Sequence, residues 1–299
     1  MTVLVTGASG SIGPAVVAAF RRSFPEVRAY VRRGDAAEAL RELGAKVAVG
    51  EADDPDTLGI AMYGVFTVCH LVGAVDAPDE DAYREANVGS VETALEVATR
   101  VGVRRFLFLS APGADLTASH PYLRSKGEAE ELIRGSGLEH AIVRATHVYG
   151  PGPGLWFSTA LELALALPPA VLGRAGTPIA PVYVDDVAAV LAAADDRGEP
   201  VAGTWGLEGL HATTAGGFVE LLEPESDGLR EVDPHDDAAV AALLERVPSR
   251  AALEFLAAPS RADAADAAGE FGVARTSLPD GLRDTIERSS ASGLERWMS

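Results

Sequence analysis

The sequence predicts an α/β fold built on a doubly wound parallel sheet, and three observations carry that expectation. Short apolar runs alternate with helical stretches over the first ~150 residues, the pattern of parallel strands covered by helices on both faces. A glycine-rich turn, TGASGSIG (Thr6 to Gly13), stands at the first strand-to-helix junction. The character then changes at GPGPG (Gly150 to Gly154), a turn-rich break after which strands and helices mix less regularly.

The elements follow in order. Val3 to Gly7 is a continuously apolar run, as a strand buried on both faces requires. Ile12 to Arg22 reads as a helix with Ile12, Val16, Ala19 and Phe20 on one stripe. Val27 to Arg32 is a second strand, Ala36 to Leu43 a helix, and Lys46 to Gly50 a third strand. Val65 to Gly73 is a fourth strand, followed by a long helix over Asp79 to Arg100. Arg105 to Ser110 is a fifth strand, Tyr122 to Arg134 a helix, and His140 to Thr146 a sixth strand. Past the break, Trp156 to Leu167 reads as an apolar helix and Asp185 to Asp196 as an alanine-rich one. Thr213 is placed to cap a further helix reaching Leu222. The expected organisation is a nucleotide-binding region over 1–150 and a smaller mixed lobe over 151–299 that completes the same domain.

Composition narrows the function. At 299 residues with 47% hydrophobic and 23% charged side chains, the chain is an ordinary globular protein. A net charge of −19 argues against nucleic acid as a partner, because phosphates would be repelled on average. No run reaches the ~18 apolar residues of a membrane span. Cys69 is the only cysteine, which leaves neither an internal disulfide nor a cysteine-based metal site, and no metal is expected. The opening residues read as a strand without a basic leader, so a cytoplasmic location is expected. Asp185-Asp186 has no second ligand cluster and reads as the charged start of a helix.

Three motifs carry chemistry. In the glycine turn, Gly7 makes the tight turn, Gly10 lets a pyrophosphate approach the backbone, and Gly13 lets helix and strand pack closely. The helix N-terminus then offers amides and a positive dipole end to the phosphates. Arg32 and Arg33 end the second strand where an acidic residue would otherwise meet the 2′-hydroxyl of NAD, and two guanidinium groups suit a 2′-phosphate instead. Tyr122 and Lys126 lie one helical turn apart on a single face. A phenol there can donate a proton to a carbonyl oxygen, while the ammonium and the helix N-terminus lower its pKa. Only two lysines occur in the chain, Lys46 and Lys126.

With these motifs the chain resembles an extended or atypical short-chain dehydrogenase/reductase, the group of NAD-dependent epimerase/dehydratases, dihydroflavonol-reductase-like enzymes and NmrA-like proteins. Further matches span nearly the whole length: VCHLVGA (Val68 to Ala74), Asn87 in NVGS, VRATHVYGPG (Val143 to Gly152), PVYVDDVAAV (Pro181 to Val190) and TSLPDGLRDTI (Thr276 to Ile286). The resemblance implies a Rossmann doubly wound parallel sheet with a smaller C-terminal substrate lobe. It implies cofactor contacts from Gly7, Ser9, Gly10, Ser11, Ile12, Gly13, Arg32, Arg33, Leu71, Val72, Gly73, Asn87, Lys126, Ala145, Thr146, His147 and Val148.

The catalytic set it implies is Tyr122, Lys126 and Ser110, with one departure. The family's usual catalytic hydroxyl falls at Pro112 here, so Ser110, Thr117 or Ser119 must replace it or the site lacks it. NADP is the expected cofactor, with NAD as the alternative, and the expected activity is oxidoreduction of a carbonyl or secondary alcohol on a small hydrophobic molecule. Leu155, Trp156, Leu161, Pro178, Ile179 and Val182 are expected to face the substrate. The rival readings are a sugar-nucleotide epimerase or dehydratase with bound NAD, and a non-catalytic NAD(P)-binding sensor or accessory protein. By the same analogy, a homodimer would pair through the helices over 79–100 and 122–134.

Overall fold

The run Thr2–Thr6 forms β1 at the centre of a seven-stranded sheet. Its side chains serve two cores at once: Val3 and Val5 pack on one face and Leu4 on the other, all fully buried. A strand covered on both sides has no polar face, which is why the segment reads as an unbroken apolar run. The computed structural model describes residues 1–151, 170–196, 199–222, 230–236 and 250–291.

From β1 the chain enters α1 (Gly13–Ser23), β2 (Glu26–Val31), α2 (Ala37–Glu42) and β3 (Lys46–Val49). Next come α3 (Pro55–Met62), β4 (Thr67–His70), α4 (Glu80–Arg84), a π-helical turn (Glu85–Gly89) and α5 (Ser90–Val101). Then follow β5 (Arg105–Ser110), α6 (Pro121–Gly135) and β6 (Glu139–Ala145). Short pairings from β7 (Val148–Tyr149), β8 (Ala170–Leu172), β9 (Pro178–Ile179) and β10 (Val182–Tyr183) lead to α7 (Val184–Asp196). The rest comprises β11 (Ala202–Leu207), β12 (Thr213–Thr214), α8 (Ala215–Leu222), β13 (Arg230–Val232), α9 (Arg250–Ala257), α10 (Ala267–Phe271) and α11 (Leu278–Ala291).

The sheet runs β3-β2-β1-β4-β5-β6-β11, and every neighbouring pair is parallel. This is the Rossmann order with one added strand, and the direction of winding reverses between β1 and β4. Helices α1 and α7 cover one face, while α3, α5 and α6 cover the other. Two of these parts, α7 and β11, come from the second half of the chain. The carboxylate of Asp186 ties α7 to the approach of α11, accepting from the Thr276 amide at 2.8 Å and its hydroxyl at 2.7 Å. Asp185 pairs with Arg288 at 3.0 Å, so both acids hold helices in place.

Several elements differ from expectation. Helix α3 is an addition, started by Asp54, whose side chain accepts from the Asp56 and Thr57 amides, with Pro55 in the first turn. The long helix over 79–100 is broken by the π turn that carries Asn87, a local widening that often marks functional positions. The fourth strand stops at His70, and Leu71 onward continues as loop. Thr214 rather than Thr213 caps α8, its hydroxyl accepting from the Gly217 amide at 3.0 Å. The helix expected over Trp156 to Leu167 lies outside the described residues. Among the described residues, no helix is long and apolar enough to cross a membrane.

Candidate active site

The crevice outside the carboxyl ends of β1 and β4 is where a fold of this winding receives a ligand. Here it is a cavity of about 480 Å³. Its floor is the glycine turn, whose amides wind it tightly: Gly10 donates to the Gly7 carbonyl at 2.9 Å and Gly13 to that of Gly10 at 3.1 Å. Gly7 sits at φ +67°, and a Cβ there would lie 2.8 Å from the backbone carbon of Leu71. A Cβ at Gly13 would lie 2.2 Å from the Ala8 carbonyl oxygen. Both glycines are therefore steric requirements, the first for the turn beside β4 and the second for seating α1 on the loop.

Helix α1 starts without a side-chain cap and without an acid in its first turn. Its positive end is left for an anion, which is the chemistry a dinucleotide pyrophosphate needs. Gly7, Gly10, Ser11, Ile12 and Gly13 line the cavity with Leu71 and Gly73 from the loop after β4, and Ala145, Thr146, His147 and Val148 from the end of β6. Ser9, Val72, Arg32 and Arg33 stand outside that wall. Both arginines are exposed just beyond β2, beside the glycine turn, since Thr6 pairs with Tyr30 across the two strands.

The helix α6 begins at Pro121 and brings Tyr122 and Lys126 to the same cavity. Lys126 Nζ donates to the Leu109 carbonyl at 2.9 Å and lies 4.3 Å from the Phe108 ring centroid. Burial lowers its ammonium from 10.5 to about 8, against a partial restoring pull from Glu130. Tyr122 behaves contrary to expectation. Burial, with Tyr83 beside it, pushes the phenol above its ordinary range, and no lowering by Lys126 offsets this. Asn87 braces both flanks: its side chain exchanges two hydrogen bonds with the Ala74 backbone, at 2.9 and 3.0 Å, and donates to Ser125 Oγ at 3.0 Å.

Ser110 was the expected hydroxyl of the catalytic set, and its proton is engaged elsewhere. Its Oγ donates to Glu130 at 2.6 Å, although the residue borders the cavity. Glu130 is fully buried and also binds Arg144 and Arg134. Arg144 in turn holds Asp263 and the Ala114 carbonyl. Ser110 thus belongs to a buried ion network that fixes the loop carrying Pro112. Of the other two hydroxyls, that of Thr117 bonds Asp115 in an exposed turn, and neither Thr117 nor Ser119 lines the cavity. His70 is a packed core residue, stacked on Phe106 and Phe108, with burial lowering it to about 3. Among the described residues no cluster of acids, His and Cys could hold a metal ion.

The remaining wall was missed from the sequence. Ala252, Phe255 and Leu256 of α9 line the same cavity. Their three- and four-residue spacing on a short apolar helix was the available signal, but nothing in it points to a ligand rather than to a core. The residues expected there do other work: Ile179 and Val182 are buried in separate cores, and Pro178 is exposed and pairs in β9. Leu155, Trp156 and Leu161 lie outside the described residues.

Comparison with known proteins finds a family that binds nicotinamide dinucleotides by description and relatives that are reductases by name. The family described as NAD(P)H-binding matches residues 7–159. A ceramide reductase of Caulobacter vibrioides is 28% identical over 195 residues, which are 64% of this chain and 60% of that protein. A ketoreductase of a farnesylated dihydroquinoline oxide from Stigmatella aurantiaca is 29% identical over 170 residues, 50% of this chain and 51% of its own. The chain therefore spans about half to three fifths of these curated relatives. The UDP-glucose 4-epimerase of Thermotoga maritima superposes with a TM-score of 0.75 at 19% identity, covering 98% of this chain and 99% of its own.

Proposed function

The chain belongs to the NAD(P)H-binding family, and from that premise we propose that it is a short-chain dehydrogenase/reductase of the epimerase/dehydratase type, acting as an NADP(H)-dependent oxidoreductase of a hydrophobic ketone, aldehyde or secondary alcohol. The observation that carries this reading is the convergence of Tyr122, Lys126 and the glycine turn on one cavity whose outer wall is apolar. NADP, when bound, supplies or accepts the hydride. Tyr122 Oη stands ready to deliver a proton to the substrate oxygen, and a phenol kept protonated by burial is a donor in the reductive direction. Lys126, held by the Leu109 carbonyl and lining the cavity, would have donors left to hold the cofactor ribose. Asn87 keeps the loop at Ala74 and the helix at Ser125 in fixed relation, so the proton donor and the cofactor floor stay in register.

The apolar character of the substrate is supported by the wall, where Ala111, Ala252, Phe255 and Leu256 offer no group to a sugar hydroxyl or a pyrophosphate. Two relatives named for reducing lipid-like compounds point the same way. A second reading, a nucleotide-binding protein without turnover, is favoured by the Ser110 hydroxyl being spent on Glu130 and by proline at 112. NADPH oxidation across a panel of apolar ketones and aldehydes decides between them. On an accepted substrate, Tyr122→Phe should cut the rate ~10²–10⁴-fold with NADPH affinity nearly unchanged. Tight NADPH binding with no turnover on a broad panel would give the site to the second reading, and turnover of a UDP-sugar would overturn the hydrophobic assignment.

A further inference from the structure

Phe255 stands over the phenol of Tyr122. The two ring centroids are 4.9 Å apart with the rings at 72°, and the Phe255 centroid lies 5.4 Å from that of His147 and 6.0 Å from that of His120. The helix that carries Phe255 is tied on two sides: His120 Nε2 bonds the Ala251 carbonyl at 2.8 Å, and His147 hydrogen-bonds the backbone of Phe255 itself. One tether starts at the cap of α6 and the other at the end of β6, so the ring is referenced to both sides of the cavity. Tyr122 is only 9% exposed. At 4.9 Å in a T-shaped contact no free space separates the two rings, and both line the same cavity, so a group brought against Tyr122 there meets Phe255 as a neighbour.

We propose that Phe255 is a specificity-determining residue whose ring limits the size of the apolar group that a carbonyl substrate brings to Tyr122, so that the site takes small or flat aryl and alkyl ketones and refuses bulkier ones. The proposal rests on the reductase reading above and deepens it. Phe255 selects by excluded volume, as an apolar pocket must when it has no polar contact to withhold. Its neighbours Ala252 and Leu256 extend the same face, so a shortened side chain at 255 opens space continuous with the cavity.

The test compares wild type, Phe255→Leu and Phe255→Ala at saturating NADPH with acetophenone, butyrophenone and benzophenone. The ratio of kcat/KM for benzophenone over acetophenone should rise about tenfold or more in Phe255→Ala, mostly through KM, with Phe255→Leu between the two. An unchanged ratio overturns the proposal. A second readout needs no turnover: absorbance titration of the tyrosines. In Phe255→Ala one more phenol should ionise near ~10 than in wild type, and this gain should vanish when Tyr122→Phe is added. That double variant is needed because Tyr83, His120 and His147 face the same space. If no protein in the set reduces any of the three ketones, the reductase reading is judged on the broad panel above. The titration then decides the placement of Phe255 alone, and an unchanged titration overturns it.

Discussion

Lys126 offers the sharpest test of the site because its burial has a thermodynamic signature of its own. The side chain is 6% exposed, sits over Phe108 and releases its proton at about 8 instead of 10.5. In the unfolded chain a lysine stays protonated through that interval, so between pH 8 and 10.5 the unfolded state binds more protons than the folded one. Stability must then rise with pH across this window, with the full gain above it and none below pH 8. At about 1.36 kcal/mol per pH unit, the interval amounts to about 3 kcal/mol. Urea unfolding of the cofactor-free protein at pH 7.5, 9 and 10, for wild type and Lys126→Met, isolates this contribution, since every other group titrates in both proteins. The difference in unfolding free energy should move toward wild type by about 2 kcal/mol across the series, the remainder of the gain lying above pH 10. Bound NADPH, whose phosphates favour the ammonium, should shift the window upward. A difference that stays constant with pH would refute the burial of a charged Lys126 and, with it, the placement of this ammonium in the cavity.

Arg144→Met leaves the fully buried Glu130 with Arg134 and Ser110 alone and should cost about 3–5 kcal/mol, whereas Arg144→Met with Glu130→Met should recover part of the loss; denaturant unfolding checks both. Arg32→Ala should weaken NADPH about tenfold to a hundredfold and NADH little, the loss of one charge-assisted bond to a 2′-phosphate. Calorimetric titration of both dinucleotides measures this, and equal losses would remove the arginine argument. Gly13→Ala places a carbon 2.2 Å from the Ala8 carbonyl, so α1 must shift off the loop. Dinucleotide affinity should fall sharply while the far-UV spectrum remains helical, and unaltered affinity would show that the turn can yield.

The central sheet was legible because each of its first six strands declares itself locally. Val3 to Val5, Arg105 to Ser110 and His140 to Ala145 are apolar runs between helical stretches, and the glycine spacing marks the crossover at β1. The seventh strand was not legible. The run AGTWGL pairs with β6 through six residues, yet its glycines and polar positions carry no apolar run, since only Gly206 and Leu207 are buried. Helix α3 was missed for a different reason. It is short, and its start is written in Asp54-Pro55, a capping signal rather than a periodic one.

The site divides along the same line between local and distant information. Gly7, Gly13, Tyr122 and Lys126 act through spacing within a few residues, so their arrangement could be read from the chain. The fate of Ser110 could not. Whether a hydroxyl at the end of β5 faces a substrate or a core depends on what stands beside it. Here Glu130, twenty residues on, takes its proton, and Arg144 and Arg134 make that carboxylate a fixed ionic centre. Each of these is an ordinary surface-type residue in sequence, and only the packing of α6 against β5 and β6 turns them inward. The same holds for Phe255, separated from Tyr122 by more than a hundred residues and joined to it by a single helix whose backbone two histidines hold. Proline at 112 and the engaged Ser110 are therefore one feature. The loop that would carry a catalytic hydroxyl is fastened by the ion network, so in the proposed reaction proton donation rests on Tyr122, whose ring packs against Phe255.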